Sequence, residues 1–104
     1  MIKLENYQEF LDVCTQPLIV VIGKTQMCTV CKPIAHRLEQ LMILYPTIPA
    51  YIIDVEKVEQ FRGQHLIFSV PTIIVLEFGK EILRESRFVD FEKIKRLFDI
   101  YLDR

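Results

Sequence analysis

Cys28-Thr29-Val30-Cys31 sets two thiols three residues apart in a chain of 104 residues that carries three cysteines. On a helix, residues three apart share a face, so both sulfurs fall within reach of one another. The unpaired N–H groups of a first helical turn, and the positive end of the helix dipole, stabilise an anionic sulfur. The chemistry expected is thiol–disulfide exchange: Cys28 attacks a disulfide as thiolate, and Cys31 attacks the resulting mixed disulfide and releases the reduced product. Half of a zinc site is the competing reading. A structural zinc ion takes four ligands, however, and His36 and His65 add no second paired motif. Cys14 lies on an apolar helical stripe and is expected to be covered, as a small hydrophobe of the core.

The elements that must hold these thiols follow from periodicity. Tyr7, Phe10, Leu11 and Cys14 recur at helical spacing, and Asn6 with Glu9 resembles a capping box. Leu18 to Ile22 is an apolar, mostly β-branched run without polar alternation, a strand covered on both faces that Gly23 should end. From about Thr29 to Tyr45, apolar residues again repeat at helical spacing, with Pro46 just beyond. Ala50 to Ile53 reads as a strand, and Val55 to Arg62 as a short helix that Gly63 caps in a left-handed conformation. Thr72 to Leu76 and Glu81 to Glu85 form a hairpin around Gly79, and Asp90 caps a last helix. The order is α-β-α-β-α-β-β-α, with room for a strand stub at Ile2 to Leu4. Right-handed crossovers make the early strands parallel, so the expected fold is α/β, a mixed central sheet of four to five strands with helices on both faces.

With the strand-to-helix Cys-x-x-Cys and Val70-Pro71-Thr72 opening a later strand, the sequence resembles the thioredoxin family over nearly its whole length. The resemblance implies a thioredoxin-like fold and a thiol–disulfide oxidoreductase with Cys28 and Cys31 as catalytic pair. It also implies that Pro71 is cis and that the backbone of Val70 pairs with an extended substrate peptide. Met27 could be mere filler, but beside the nucleophile with Val70-Pro71 opposite it reads as an apolar rim for peptide, and Thr29 is taken with it as a substrate contact. Disulfide-containing proteins or low-molecular-weight disulfides would be the substrates, with a dithiol or flavoenzyme reductase as electron donor and no bound cofactor.

Several positions depart from the family pattern. Met27 replaces an aromatic residue, Thr29-Val30 a Gly-Pro pair, and Ile22 the buried acid six residues before the first cysteine. Lys24 stands in place of a tryptophan, His36 of a kinking proline, and Arg87 of a glycine. Lys24 and Lys32 read most simply as solvated charges, with the alternative that either stabilises a thiolate by folding over the site. A fold retained for binding, with inert cysteines, is the alternative function from a different class.

Composition narrows the partners. A formal net charge of -1 supplies no general attraction for nucleic acid or anionic lipid. No apolar run approaches the roughly 20 residues of a membrane span, and the first residues do not read as a signal peptide. The expectation is one domain over residues 1–104, monomeric and cytoplasmic, where a reducing environment keeps thiols free for chemistry.

Overall fold

A computed structural model describes residues 1–103. In chain order the elements are β1 (Ile2–Leu4), α1 (Tyr7–Val13), β2 (Ile19–Lys24), α2 (Cys31–Ile43), β3 (Ala50–Asp54), α3 (Glu59–Gln64), β4 (Thr72–Glu77), β5 (Lys80–Ser86) and α4 (Phe91–Leu102). The sheet has five strands in the order β1-β3-β2-β4-β5. β1, β3 and β2 run parallel, whereas β4 pairs antiparallel with β2 and β5 antiparallel with β4.

Side chains alternate across a strand, so the uninterrupted apolar run of β2 supplies two cores at once. Ile19 and Val21 join Ile53, Ile74 and Leu76 beneath Phe10 of α1 and Phe61 of α3. Val20 and Ile22 join Ile73 and Val75 beneath Leu38 and Met42 of α2 and Ile94 and Phe98 of α4. Each large apolar side chain fully buried in this way stabilises the fold by roughly 1.5–3 kcal/mol. Helices of seven residues (α1) and six residues (α3) are far below the roughly 12–15 residues at which an isolated helix becomes even marginal. Packing on the sheet therefore holds them.

The local boundaries show where tertiary contacts override sequence signals. β2 continues through Gly23 to Lys24, which stay paired with Ile53 and Asp54 of β3, and a Cβ at Gly23 would lie 3.0 Å from Cγ1 of Val55, a close approach that suits glycine. α3 starts later than expected, since Asp54 Oδ1 accepts from the backbone N–H groups of Glu56 and Lys57 and holds a turn there. Gly63 lies inside α3, and Leu66 takes the left-handed position after it, with φ 54°. Asn6 caps α1 by accepting from the Glu9 N–H at 2.9 Å, but the Glu9 carboxylate accepts from Glu5 rather than from Asn6. Phe78 (φ 49°) and Gly79 (φ 84°) give the paired positive φ values of a two-residue hairpin turn. Among the described residues, no helix is long and apolar enough to cross a membrane.

Candidate active site

The chain leaves β2 at Lys24 and passes through an exposed turn before entering α2. That turn carries the first cysteine. Cys28 N–H donates to Thr25 O (3.4 Å), and Cys31 N–H donates to Cys28 O (3.3 Å). This hydrogen-bonded turn delays α2 to Cys31 instead of Thr29, so Cys28 sits just before the helix and Cys31 at its first residue. The two sulfurs are joined in a disulfide with a Cα–Cα distance of 5.4 Å. Their surroundings differ. Cys31 is only 3% exposed, whereas Cys28 is half-buried and open to solvent.

Cys28 and Cys31 both border a cavity of about 390 Å³ whose other walls include Lys24, Thr25, Gln26, Lys32 and Ile52. Lys24 is not the solvated charge expected of it. Register pairs it with Asp54 on the neighbouring parallel strand, and its Nζ lies 3.8 Å from Asp54 Oδ2, with side chains 22% and 4% exposed. The other Asp54 oxygen is occupied by the two backbone N–H groups of the following turn. A buried carboxylate is tolerable because it is both paired and hydrogen-bonded. Ile22, by contrast, is fully buried among α2 and α4 side chains.

A second, larger groove of about 830 Å³ opens beside Val30, the residue preceding Cys31. Val70, Pro71, Ile34, Phe88 and Val89 form much of its wall. The Val70–Pro71 peptide bond is cis. Arg87 N–H donates to Pro71 O at 3.0 Å, which ties the end of β5 to this segment, and Arg87 takes φ 61°. That left-handed geometry explains why glycine suits the position. On the far wall, Arg37 is stacked 4.4 Å over the ring of Phe91.

The structure thus groups the sequence-derived residues unevenly. Cys28 and Cys31 border one cavity and Val70 and Pro71 the other. Met27, 86% exposed, and Thr29, also exposed, project from the turn and border neither. Asp54 and Phe88 escaped the sequence reading. Asp54 follows an apolar strand and looks like an ordinary strand terminator, and only the β2–β3 register reveals its partner. Phe88 carries no periodic signal, being in the loop between β5 and α4. Cys14 packs against the core from α1 but is half-buried rather than covered, with Sγ 3.5 Å from Leu11 O.

A mixed sheet with a linked cysteine pair at a strand-to-helix junction is the architecture of a thiol–disulfide exchange protein. The Thioredoxin family model matches residues 1–99, and on that basis the chain belongs to the thioredoxin family. It is 35% identical over 78 residues to a thioredoxin-like protein, YdfQ, of Bacillus subtilis, covering 71% of this chain and 70% of that one. Thioredoxin of Chlamydia trachomatis is 24% identical over 97 residues, covering 93% of this chain and 95% of its own. Among solved structures, thioredoxin of Fasciola hepatica superimposes with a TM-score of 0.84 at 24% identity, covering 95% of this chain and 97% of that chain. Thioredoxin of Trypanosoma brucei brucei does so with a TM-score of 0.87 at 19% identity, covering 97% and 90%. Family membership together with the Cys28–Cys31 pair makes the protein a thiol–disulfide oxidoreductase.

Proposed function

We propose that the protein works as a dithiol reductant of disulfides in other proteins, with Cys28 as the attacking and Cys31 as the resolving sulfur. The observation that carries this reading is the unequal exposure of the two cysteines, Cys28 half-buried and Cys31 only 3% exposed. An incoming disulfide can reach Cys28 and cannot reach Cys31 without first displacing Cys28. The Cys28 thiolate attacks one substrate sulfur and expels the other as a thiolate. Cys31 then attacks the Cys28 sulfur of the mixed disulfide, releasing the second substrate thiol and re-forming the Cys28–Cys31 bond. Two electrons pass to the substrate, and a dithiol or flavoenzyme reductase restores them.

Recognition belongs to the groove. Its apolar wall and its volume suit a peptide segment, and the backbone of Val70, just ahead of β4, offers an edge to which an extended chain adds by main-chain hydrogen bonds. Met27 and Thr29, exposed in the turn on either side of Cys28 in the chain, add contacts to a substrate that approaches Cys28. A reducing compartment such as the cytosol suits this direction of transfer.

The test is trapping. Cys31→Ser should accumulate covalent mixed disulfides with protein partners through Cys28, and turnover of a model protein disulfide should vanish in Cys28→Ser. Partners recovered only without a covalent link, or unchanged turnover in Cys28→Ser, would identify a binding module instead.

A further inference from the structure

Resolution of the mixed disulfide requires Cys31, buried at the start of α2, to become an anion. Burial opposes that ionisation, since removing a thiolate from water raises its free energy. Ile22 occupies the place six residues before Cys28 and carries no titratable group. The charge must be managed from elsewhere.

We propose that Lys24, held by the buried carboxylate of Asp54, is the positioning charge that stabilises the Cys31 thiolate during resolution. The proposal rests on the exchange mechanism above. Lys24 forms part of the cavity wall with both cysteines, whereas Asp54 does not. Lys24 is thus the member of the ion pair that lies on the cavity wall with the cysteines. Asp54 fixes it there from the adjacent strand, and its own second oxygen is held by backbone N–H groups, so the carboxylate cannot swing toward the cavity without breaking those bonds. The remaining charged or titratable groups on this cavity are Cys28 itself and Lys32. Lys32 is exposed, where water and salt weaken its field, whereas the partly buried Lys24 is screened less. Thr25, Gln26, Ala35 and Ile52 add no charge.

In the step itself the Cys31 proton passes to solvent, the Cys31–Cys28 bond forms, and the Cys28–substrate bond breaks. The departing substrate sulfur leaves as a thiolate and takes up a proton from water. Lys24 keeps its proton throughout. Asp54 is a positioning residue at one further remove.

A cation on the cavity it shares with a buried thiol favours ionisation, and one pKa unit is tenfold in thiolate at neutral pH. Lys24→Met alone strands a buried carboxylate, so the informative variant is Lys24→Met with Asp54→Asn, which removes both charges and keeps an oxygen for the backbone N–H groups. In a Cys14→Ala, Cys28→Ser background, thiolate absorbance against pH should place Cys31 about one unit higher in that double variant. Lys24→Arg should restore the titration. In otherwise intact protein, release of a preformed mixed disulfide should slow about tenfold at pH 7, while the Cys28 attack that precedes it changes much less. An unshifted Cys31 titration with unchanged release would overturn the role of Lys24. Failure of wild-type protein to form any mixed disulfide would overturn the exchange mechanism instead.

Discussion

Two cavities meet at the start of α2, and they are built from different materials. The smaller one joins both cysteines to Lys24, Thr25, Gln26 and Lys32. The larger one joins an apolar wall of Val30, Ile34, Val70, Pro71 and Phe88 to the charged residues Arg37, Arg87, Asp90 and Glu92. The first places two lysines beside the reacting cysteines; the second, about 830 Å³ against 390 Å³, presents shape and apolar surface beside the reacting centre. Bond exchange and partner recognition therefore sit on opposite sides of one short segment, Cys28 to Cys31. Changes on one side should be separable from changes on the other.

The largest effect expected from the recognition side comes from Phe88, which is 94% exposed and so adds little to folding. An exposed aromatic residue on an apolar groove fits the profile of an interface anchor, worth about 1.4 kcal/mol or tenfold in binding when truncated. Phe88→Ser should lower kcat/KM for a protein disulfide about tenfold and leave turnover of a small aromatic disulfide within about twofold. Equal losses on both substrates would erase the division between the cavities.

That division was only half visible in the amino-acid order. Cys28 and Cys31 announce themselves because their spacing is local, and the Leu18–Ile22 run identifies a doubly covered strand because its period is local too. The β2 run does pack on both faces, as its lack of alternation implied. What depends on register was hidden. Lys24 and Asp54 are far apart in the chain and meet only because β2 and β3 align them, so a residue that reads as a solvated lysine becomes half of a buried pair. The start of α2 falls later than periodicity places it for a related reason: the Cys28–Val30 turn is nearly helical in its hydrogen bonding, and periodicity does not distinguish the two. Gly63 looked like the left-handed cap of α3, yet Leu66 takes that conformation, because Arg84 gathers the carbonyls of His65 (2.6 Å) and Leu66 (3.0 Å) from β5.

A smaller effect should sharpen the comparison through stability. Arg87 borders the groove in the left-handed region, a conformation costing a non-glycine residue roughly 1–2 kcal/mol. Arg87→Gly relieves that strain, while the greater freedom of glycine in the unfolded chain offsets roughly 0.4–1 kcal/mol of the gain. A net stabilisation of about 0.5 kcal/mol should appear in urea unfolding. The Cys31 titration should not move, because Arg87 borders only the apolar groove. A destabilised variant would show that the arginine side chain makes contacts outweighing the strain.

The smallest effect separates pH dependence of folding from pH dependence of exchange. On the other face of the sheet, His65 packs with ring centroids 4.8 Å from both Phe10 and Phe61, and Tyr7 Oη lies 3.4 Å from its Nε2. Burial lowers its pKa below the ordinary value of 6.5, with Arg84 acting in the same direction and Glu81 opposing. The unfolded chain therefore binds this proton more readily than the folded one does. Stability from His65 is fully present above pH 6.5 and is lost as pH falls through the lower folded value. Thermal melts taken downward from pH 7.5 should show this loss, and His65→Phe should flatten it. The same variant should leave the pH dependence of mixed-disulfide release in place, since that slope originates at Cys31 beside Lys24. If His65→Phe removed both slopes, the loop from Leu66 to Pro71 would be transmitting protonation at His65 into the exchange site, and the two regions would titrate as one.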